Sequence, residues 1–237
     1  MRTVRDARKL LKDKSDKNRA GANKEYFRSP FSFLGVTKKD INAIGSKIHR
    51  SLGPLERPKL LSVLEEFWSS DVHEEMSLAI VLAALRVKSF KSIDVRNTFS
   101  RWLDECETWD HVDELCIRVT GKLVLEDDKL WSTILSWSAS ARMWKRRSSL
   151  ISHLPSIRSQ CPRLDLLEES CKLLAAEKEF FIRKAIGWVL RELGDNDKNA
   201  LIDLFSKIGG ELSPLSRREA TRKLEGALRQ QLLNSAY

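Results

Sequence analysis

Apolar side chains recur every three to four residues along nearly the whole chain, the spacing of one buried face on an α-helix. Alternating β-branched runs joined by Asn-Gly or Asp-Gly turns, which would mark strands, are missing. The pattern predicts helices over about 3–18, 37–52, 57–69, 72–88, 94–106, 109–121, 129–138, 141–154, 163–176, 180–193, 197–208 and 214–232. Breaks fall at Gly53-Pro54, Ser70-Asp71, Pro155, Pro162, Gly194-Asp195, Gly209-Gly210 and Ser213-Pro214. Asp71 and Ser213 stand where N-caps belong, and Pro214 suits a first helical position. Short helices at about 35–45 residues per pair predict an all-α fold, a right-handed α-solenoid of HEAT-like antiparallel helix pairs with a concave basic groove. One domain over 1–237 is expected, with 1–25 as a partly detached basic arm.

Charge sharpens this picture. The net charge is +9, and residues 1–50 carry 14 Lys/Arg against 5 Asp/Glu. A smaller basic cluster, Arg217, Arg218, Arg222 and Lys223, lies near the end. Clustered positive charge favours a polyanionic partner, nucleic acid first, although a solvated charged helix accounts for charge alone equally well. No apolar run approaches the roughly 20 residues of a membrane span, and the N-terminus lacks the apolar segment of a secretory signal. The expectation is therefore an intracellular, cytoplasmic protein, nucleoid-associated when bound to DNA if the nucleic-acid reading of the charge holds.

Familiar catalytic motifs are missing. Cys106, Cys116, Cys161 and Cys171 form no C-x-x-C pair and read as small core hydrophobes. His49, His73, His111 and His153 are scattered, and His73-Glu-Glu-Met-Ser77 lacks the second histidine of a zinc-protease helix. Thr120-Gly-Lys122 lacks the upstream glycine of a phosphate loop. Neither a metal nor a cofactor is expected.

Three helices carry more specific signals. Over 180–193, Ile182, Ala185, Ile186, Val189, Leu190 and Leu193 form one apolar stripe, whereas Phe181, Lys184, Trp188 and Arg191 form another. Trp188 thus shares its face with cations instead of core residues. In the helix beginning at Trp109, Val112, Leu115, Cys116 and Val119 define the buried face, and Trp109 and Asp113 sit one turn apart at its edge. An Asp in that position also suits a cap or an ion pair. In the third helix, Arg147 falls among Trp144, Leu150, Ile151 and Leu154. An unpaired buried guanidinium costs several kcal/mol, so Arg147 should meet a carboxylate or a phosphate. Arg146 and Lys145 point elsewhere as surface charge, and Trp68, Trp102, Trp131, Trp137 and Trp144 read as core.

These residues carry a family resemblance. Lys178-Glu-Phe-Phe-Ile-Arg-Lys-Ala-Ile-Gly-Trp-Val-Leu-Arg-Glu192 is its strongest stretch, followed by Leu212-Ser-Pro-Leu-Ser-Arg-Arg-Glu-Ala220. Trp109-Asp-His-Val-Asp113, the Trp144-x-x-Arg147 spacing, Tyr26 and Phe31-Ser-Phe-Leu-Gly35 continue it from about residue 20 onward. The chain resembles the HEAT-like-repeat DNA alkylation repair family, the AlkD type of 3-methyladenine/7-methylguanine DNA glycosylase. The resemblance implies hydrolysis of N3- and N7-alkylated purines from double-stranded DNA, without base flipping and by a monomer. It carries the catalytic roles onto Asp113, Trp109 and Trp188 with Arg147 beside them. Tyr26, Phe180, Phe181 and Arg191 would line the DNA-facing groove, Lys184 and Arg191 would hold the backbone, and Arg146 would add charge. His111, Arg146, Arg183 and the longer basic arm depart from the pattern and leave lesion preference open. Two other readings stay in play: a catalytically silent relative that binds damaged or structured DNA, and a protein-interaction solenoid.

Overall fold

Local chemistry decides where each helix starts and stops. In the computed structural model, which describes residues 2–234, α1 (Arg2–Asp13) ends in a short turn, and Asp16 caps α2 (Lys17–Phe27) by accepting the Arg19 N–H at 2.9 Å. Thr37 caps α3 (Lys38–Leu52), and α4 (Arg57–Trp68) carries proline in its first turn. After α5 (His73–Leu85), α6 (Ser92–Asp94) and α7 (Ser100–Glu105) are joined by a π-turn over Val95–Phe99. A second π-turn, Cys116–Thr120, joins α8 (Trp109–Leu115) to α9 (Gly121–Glu126). There follow α10 (Leu130–Ser136), α11 (Met143–Ile151), α12 (Leu154–Arg158), α13 (Leu164–Leu174), α14 (Phe180–Asn196) and α15 (Lys198–Ile208). The described chain closes with α16 (Pro214–Ala220) and α17 (Gly226–Asn234).

These helices form an α-solenoid of HEAT-like pairs. One layer stacks α3, α5, α8–α9, α11–α12, α14 and α16, and the other holds α4, α6–α7, α10, α13 and α15. Side chains couple each unit to the next at a nearly constant sequence offset. Arg57 reaches Asp94 37 residues on, Arg163 reaches Asp128 35 residues back, and Arg158 reaches Glu192 34 residues on. Leucines, isoleucines and valines from both layers fill one continuous core around Phe67, Phe99 and Trp102, and Trp68 stacks on Trp102 at 4.2 Å. Gly187 permits the closest approach between α14 and α16, since a Cβ there would stand 2.4 Å from Glu219. Among the described residues no helix is long and apolar enough to cross a membrane.

Several sequence expectations change. The described part of the 1–25 segment is not a detached arm: Val4, Ala7 and Leu11 are fully buried. The helix expected over 3–18 breaks after Asp13, and α2, which buries no residue, is held by its ends. There the Asp16 N–H donates to Leu34 O at 2.9 Å, the Arg19 guanidinium to Gly35 O at 2.6 Å, and the Lys24 ammonium to Ser29 O and Phe31 O at 2.7 Å. Asp71 is not a cap; it sits at φ 55 and offers its carbonyl to Ser32. The stretches 141–154 and 214–232 each divide into two helices, the first before Pro155 and the second before Gly226 at φ 57. Cys106, Cys116 and Cys171 are core residues, but Cys161 is exposed. Trp144 is half-buried, unlike the other four tryptophans assigned to the core.

Two histidines are buried as neutral side chains. His153 stacks on Trp131 at 4.5 Å with its Nε2 3.1 Å from Ser170 Oγ, and burial lowers its pKa from 6.5 to about 3. Burial and then the neighbouring His73 lower that of His111 from 6.5 to about 4. A depressed folded pKa means that the unfolded chain binds the proton more tightly, so this stability is complete above pH 6.5 and declines as pH falls toward 3–4. Each histidine should remove about 1.4 kcal/mol per pH unit within that window. Urea denaturation should give a midpoint that drops between about pH 7.5 and about pH 5, with a shallower drop in His153→Gln. An unchanged midpoint in the wild-type chain contradicts the burial of neutral imidazoles.

Candidate functional site

The helix faces read from the sequence converge on one cavity. Val112, Leu115, Cys116 and Val119 are fully buried, which turns the edge carrying Trp109 and Asp113 toward α11. On α14 the stripe from Ile182 to Leu193 is buried, and Trp188, outside it, is only half-buried. Trp109, Asp113 and Trp188 line the same cavity of about 350 Å³, together with Phe27, His73 and Asp110.

Arg147 finds the carboxylate that its burial requires. Its Nε–H donates to Asp113 Oδ1 at 2.8 Å and its Nη2–H to Oδ2 at 2.9 Å, a bidentate clamp. A third N–H, on Nη1, reaches the Phe181 carbonyl at 2.6 Å. Asp113 is 7% exposed and Arg147 5%. Burial raises the Asp113 pKa above the usual carboxylate value, and the Arg147 charge and hydrogen bonds work against that rise. Each carboxylate oxygen accepts one guanidinium N–H and keeps a second lone pair for another donor. The arrangement provides a fixed, desolvated carboxylate in a cavity that two indoles also line, suited to a positive charge developing there.

The cations expected to face a polyanion are mostly paired within the chain. Lys184 meets Glu219 at 2.8 Å and Arg191 meets it at 2.9 Å, and both lower the Glu219 pKa, Lys184 more strongly. Arg146 is not surface charge, since its Nε lies 2.6 Å from Glu177 and its Nη1 donates to Ser140 O and Ala141 O. Lys145 likewise meets Asp104 at 2.5 Å. Phe181 is half-buried against Trp144 at 4.9 Å, so its backbone and ring serve the scaffold. Tyr26 and Phe180 remain open, 68% and 56% exposed.

Further side chains gather here that the sequence left apart. His73 Nε2 lies 3.0 Å from Asp110 Oδ2, and the His73 and His111 rings stack at 4.2 Å with planes 22° apart. Burial acts to raise the Asp110 pKa, but His73 prevails and holds it well below the usual range. Across the cavity mouth Lys38 meets Glu114, and Arg118 donates to Asn42 at 3.1 Å and to Glu114 at 2.9 Å. The repeat offset was the available signal, since His111 reaches back 38 residues to the His73 carbonyl and 34 to Ser77, as Arg147 reaches 34 to Asp113. Donor atoms of His73, Asp110 and His111 lie within 4.8 Å of one another, the one such trio among the described residues. Stacked imidazoles point their in-plane lone pairs side by side, so one ring would have to turn before both could bind one ion.

Comparison with known proteins gives the family. A solved structure titled as a predicted DNA alkylation repair enzyme from Enterococcus faecalis superposes with a TM-score of 0.80 at 25% identity, covering 90% of this chain and 98% of that one. No curated protein matches the chain. The sequence matches the family described as DNA alkylation repair enzyme over residues 7–224, nearly its whole length, and the chain belongs to that family.

Proposed function

We propose that the protein is a DNA glycosylase that hydrolyses the N-glycosidic bond of positively charged N3- or N7-alkylated purines in duplex DNA. The observation that carries this reading is the buried Asp113 carboxylate, clamped by Arg147 and sharing a cavity wall with Trp109 and Trp188. Membership of an alkylation repair family supports the choice of substrate.

An alkylated purine already carries positive charge and leaves without a general acid. As the bond from C1′ to the purine nitrogen breaks, its electron pair neutralises the departing base and the deoxyribose becomes cationic. A carboxylate is the group that this sugar requires, and it also orients the water that adds to C1′ and takes up the proton which that water releases. Asp113 has that role in the proposal, and Arg147 is the positioning residue that keeps its plane fixed. The indole faces of Trp109 and Trp188 attract the cation by about 0.5–2 kcal/mol each. Exposed Tyr26 and Phe180 would lie against the duplex, leaving the lesion accessible at the surface without flipping. Lys184 and Arg191 would touch phosphates only through the edges that Glu219 leaves open.

Asp113→Asn should lower single-turnover release of 7-methylguanine from methylated duplex by about a thousandfold while leaving DNA binding intact. Because Asn leaves a buried guanidinium unpaired, Asp113→Asn combined with Arg147→Met should recover thermal stability yet remain inactive. Near-normal excision by Asp113→Asn sinks the mechanism. If the wild-type chain binds duplex but releases no base, the silent DNA-binding reading replaces it. Trp109→Ala and Trp188→Ala should each lose activity and keep the wild-type melting temperature; a collapse in melting temperature would instead make these tryptophans core residues. DNA affinity should fall by about 0.9 logarithmic units per phosphate contacted for each tenfold rise in salt, and a flat salt dependence contradicts a duplex-binding face.

A further inference from the structure

The His73-Glu74-Glu75 run has no part in the proposed chemistry, yet each of its side chains ties a different segment to α5. Glu75 receives the Arg8 Nε–H from α1 at 2.9 Å. Glu74, almost fully buried, accepts the N–H groups of Leu34, Gly35 and Val36 at 2.9, 2.7 and 3.2 Å. His73 reaches α8. Its Nε2 lies 3.0 Å from Asp110 Oδ2, a close polar contact without hydrogen-bond alignment, and its carbonyl lies 3.0 Å from His111 Nε2. Ser77 Oγ stands 3.0 Å from the same His111 nitrogen, and the Nδ1 on the other side of that ring stays buried without a partner. The His73 ring also lies in an aromatic stack, 4.7 Å from Phe33 and 5.1 Å from Phe27. Phe27 in turn touches Trp109 at 5.9 Å.

His73 therefore contacts Asp110 and His111, the two residues after Trp109, and touches the ring that backs the Trp109 indole. We propose that His73 is a positioning residue for the reaction proposed above, setting the first turn of α8 through Asp110 and His111 and the Trp109 indole through Phe27. The consequence is a link between the N-terminal segments and the site. Docking of α1 and of the Phe31–Gly35 loop, through Glu75 and Glu74, reaches Trp109 by way of the same turn of α5. A purely structural histidine would contribute to melting temperature alone. A positioning histidine also sets the rate constant and the environment of Trp109.

The test uses the full chain with 5-fluorotryptophan at its seven tryptophan positions, the Trp109 fluorine signal being assigned by its loss in Trp109→Phe. His73→Phe keeps a ring in the stack and removes the contact with Asp110; Asp110→Asn weakens that contact from the other side. Both should shift the Trp109 signal and lower the single-turnover excision rate about tenfold, with DNA affinity within about twofold of wild type. The double variant should be no slower than either single one, because the two changes remove one coupling. An unmoved Trp109 signal in His73→Phe, a full excision rate, or multiplied losses in the double variant overturns the proposal. The fluorine readout does not depend on catalysis. If the wild-type chain excises nothing, the glycosylase reading fails, while a shifted or unshifted Trp109 signal still decides the structural link.

Discussion

The buried ion pair between Asp113 and Arg147 is the interaction on which the site depends. Bringing two charges into the protein interior costs several kcal/mol per ion, and attraction offsets this only when the geometry is close and the remaining hydrogen bonds are made. Here both carboxylate oxygens and three guanidinium nitrogens are engaged, the third by the Phe181 carbonyl. One guanidinium thus holds α8, α11 and the first turn of α14 in register. Loss of either partner leaves an uncompensated buried charge, at a cost of about 3–5 kcal/mol, so the same contact serves the fold and the placement of the carboxylate.

Much of this was legible in the sequence because helical periodicity is a statement about burial. The stripe from Ile182 to Leu193 is buried as written, and Trp188 lies outside it as its spacing requires. Arg147 on an apolar face demanded a carboxylate or a phosphate, and a carboxylate is what it meets. Pairing between repeats was harder to read. The partners of Arg147, His111 and Arg158 lie 34 residues away. That offset becomes visible once the fold is known to be a solenoid, because repeat identity in this chain is weak.

Features set by competition were not legible. Lys184 and Arg191 share a face with Trp188 and look available to a polyanion, yet Glu219 from α16 answers both. Periodicity shows which face a charge occupies but not which acid arrives there through the Gly187 contact. The N-terminal segment misled for a related reason. Its composition is basic and soluble, but three small or aliphatic side chains, Val4, Ala7 and Leu11, suffice to bury one side of α1. The short α2 fully buries no side chain and is held at its ends, by polar groups that find backbone partners and by Phe27 in the stack with Phe33 and His73.

Charge pairing within the chain also limits how such a site distinguishes a cation. Asp113 is neutralised by Arg147, Glu114 by Lys38 and Arg118, Asp110 sits against His73, and Glu74 spends its charge on three backbone amides. Little net negative charge is left to attract a distant cation. The indole faces are different, because a ring quadrupole is not cancelled by an ion pair behind it. Cation–π attraction of about 0.5–2 kcal/mol amounts to no more than about a thirtyfold preference per ring. Under the proposed reaction, binding alone is then a modest filter, and the larger share of discrimination lies in the lesion itself. Under that reaction the positive charge of an alkylated purine is what makes its glycosidic bond weak enough to break when the help on offer is a fixed carboxylate and an oriented water.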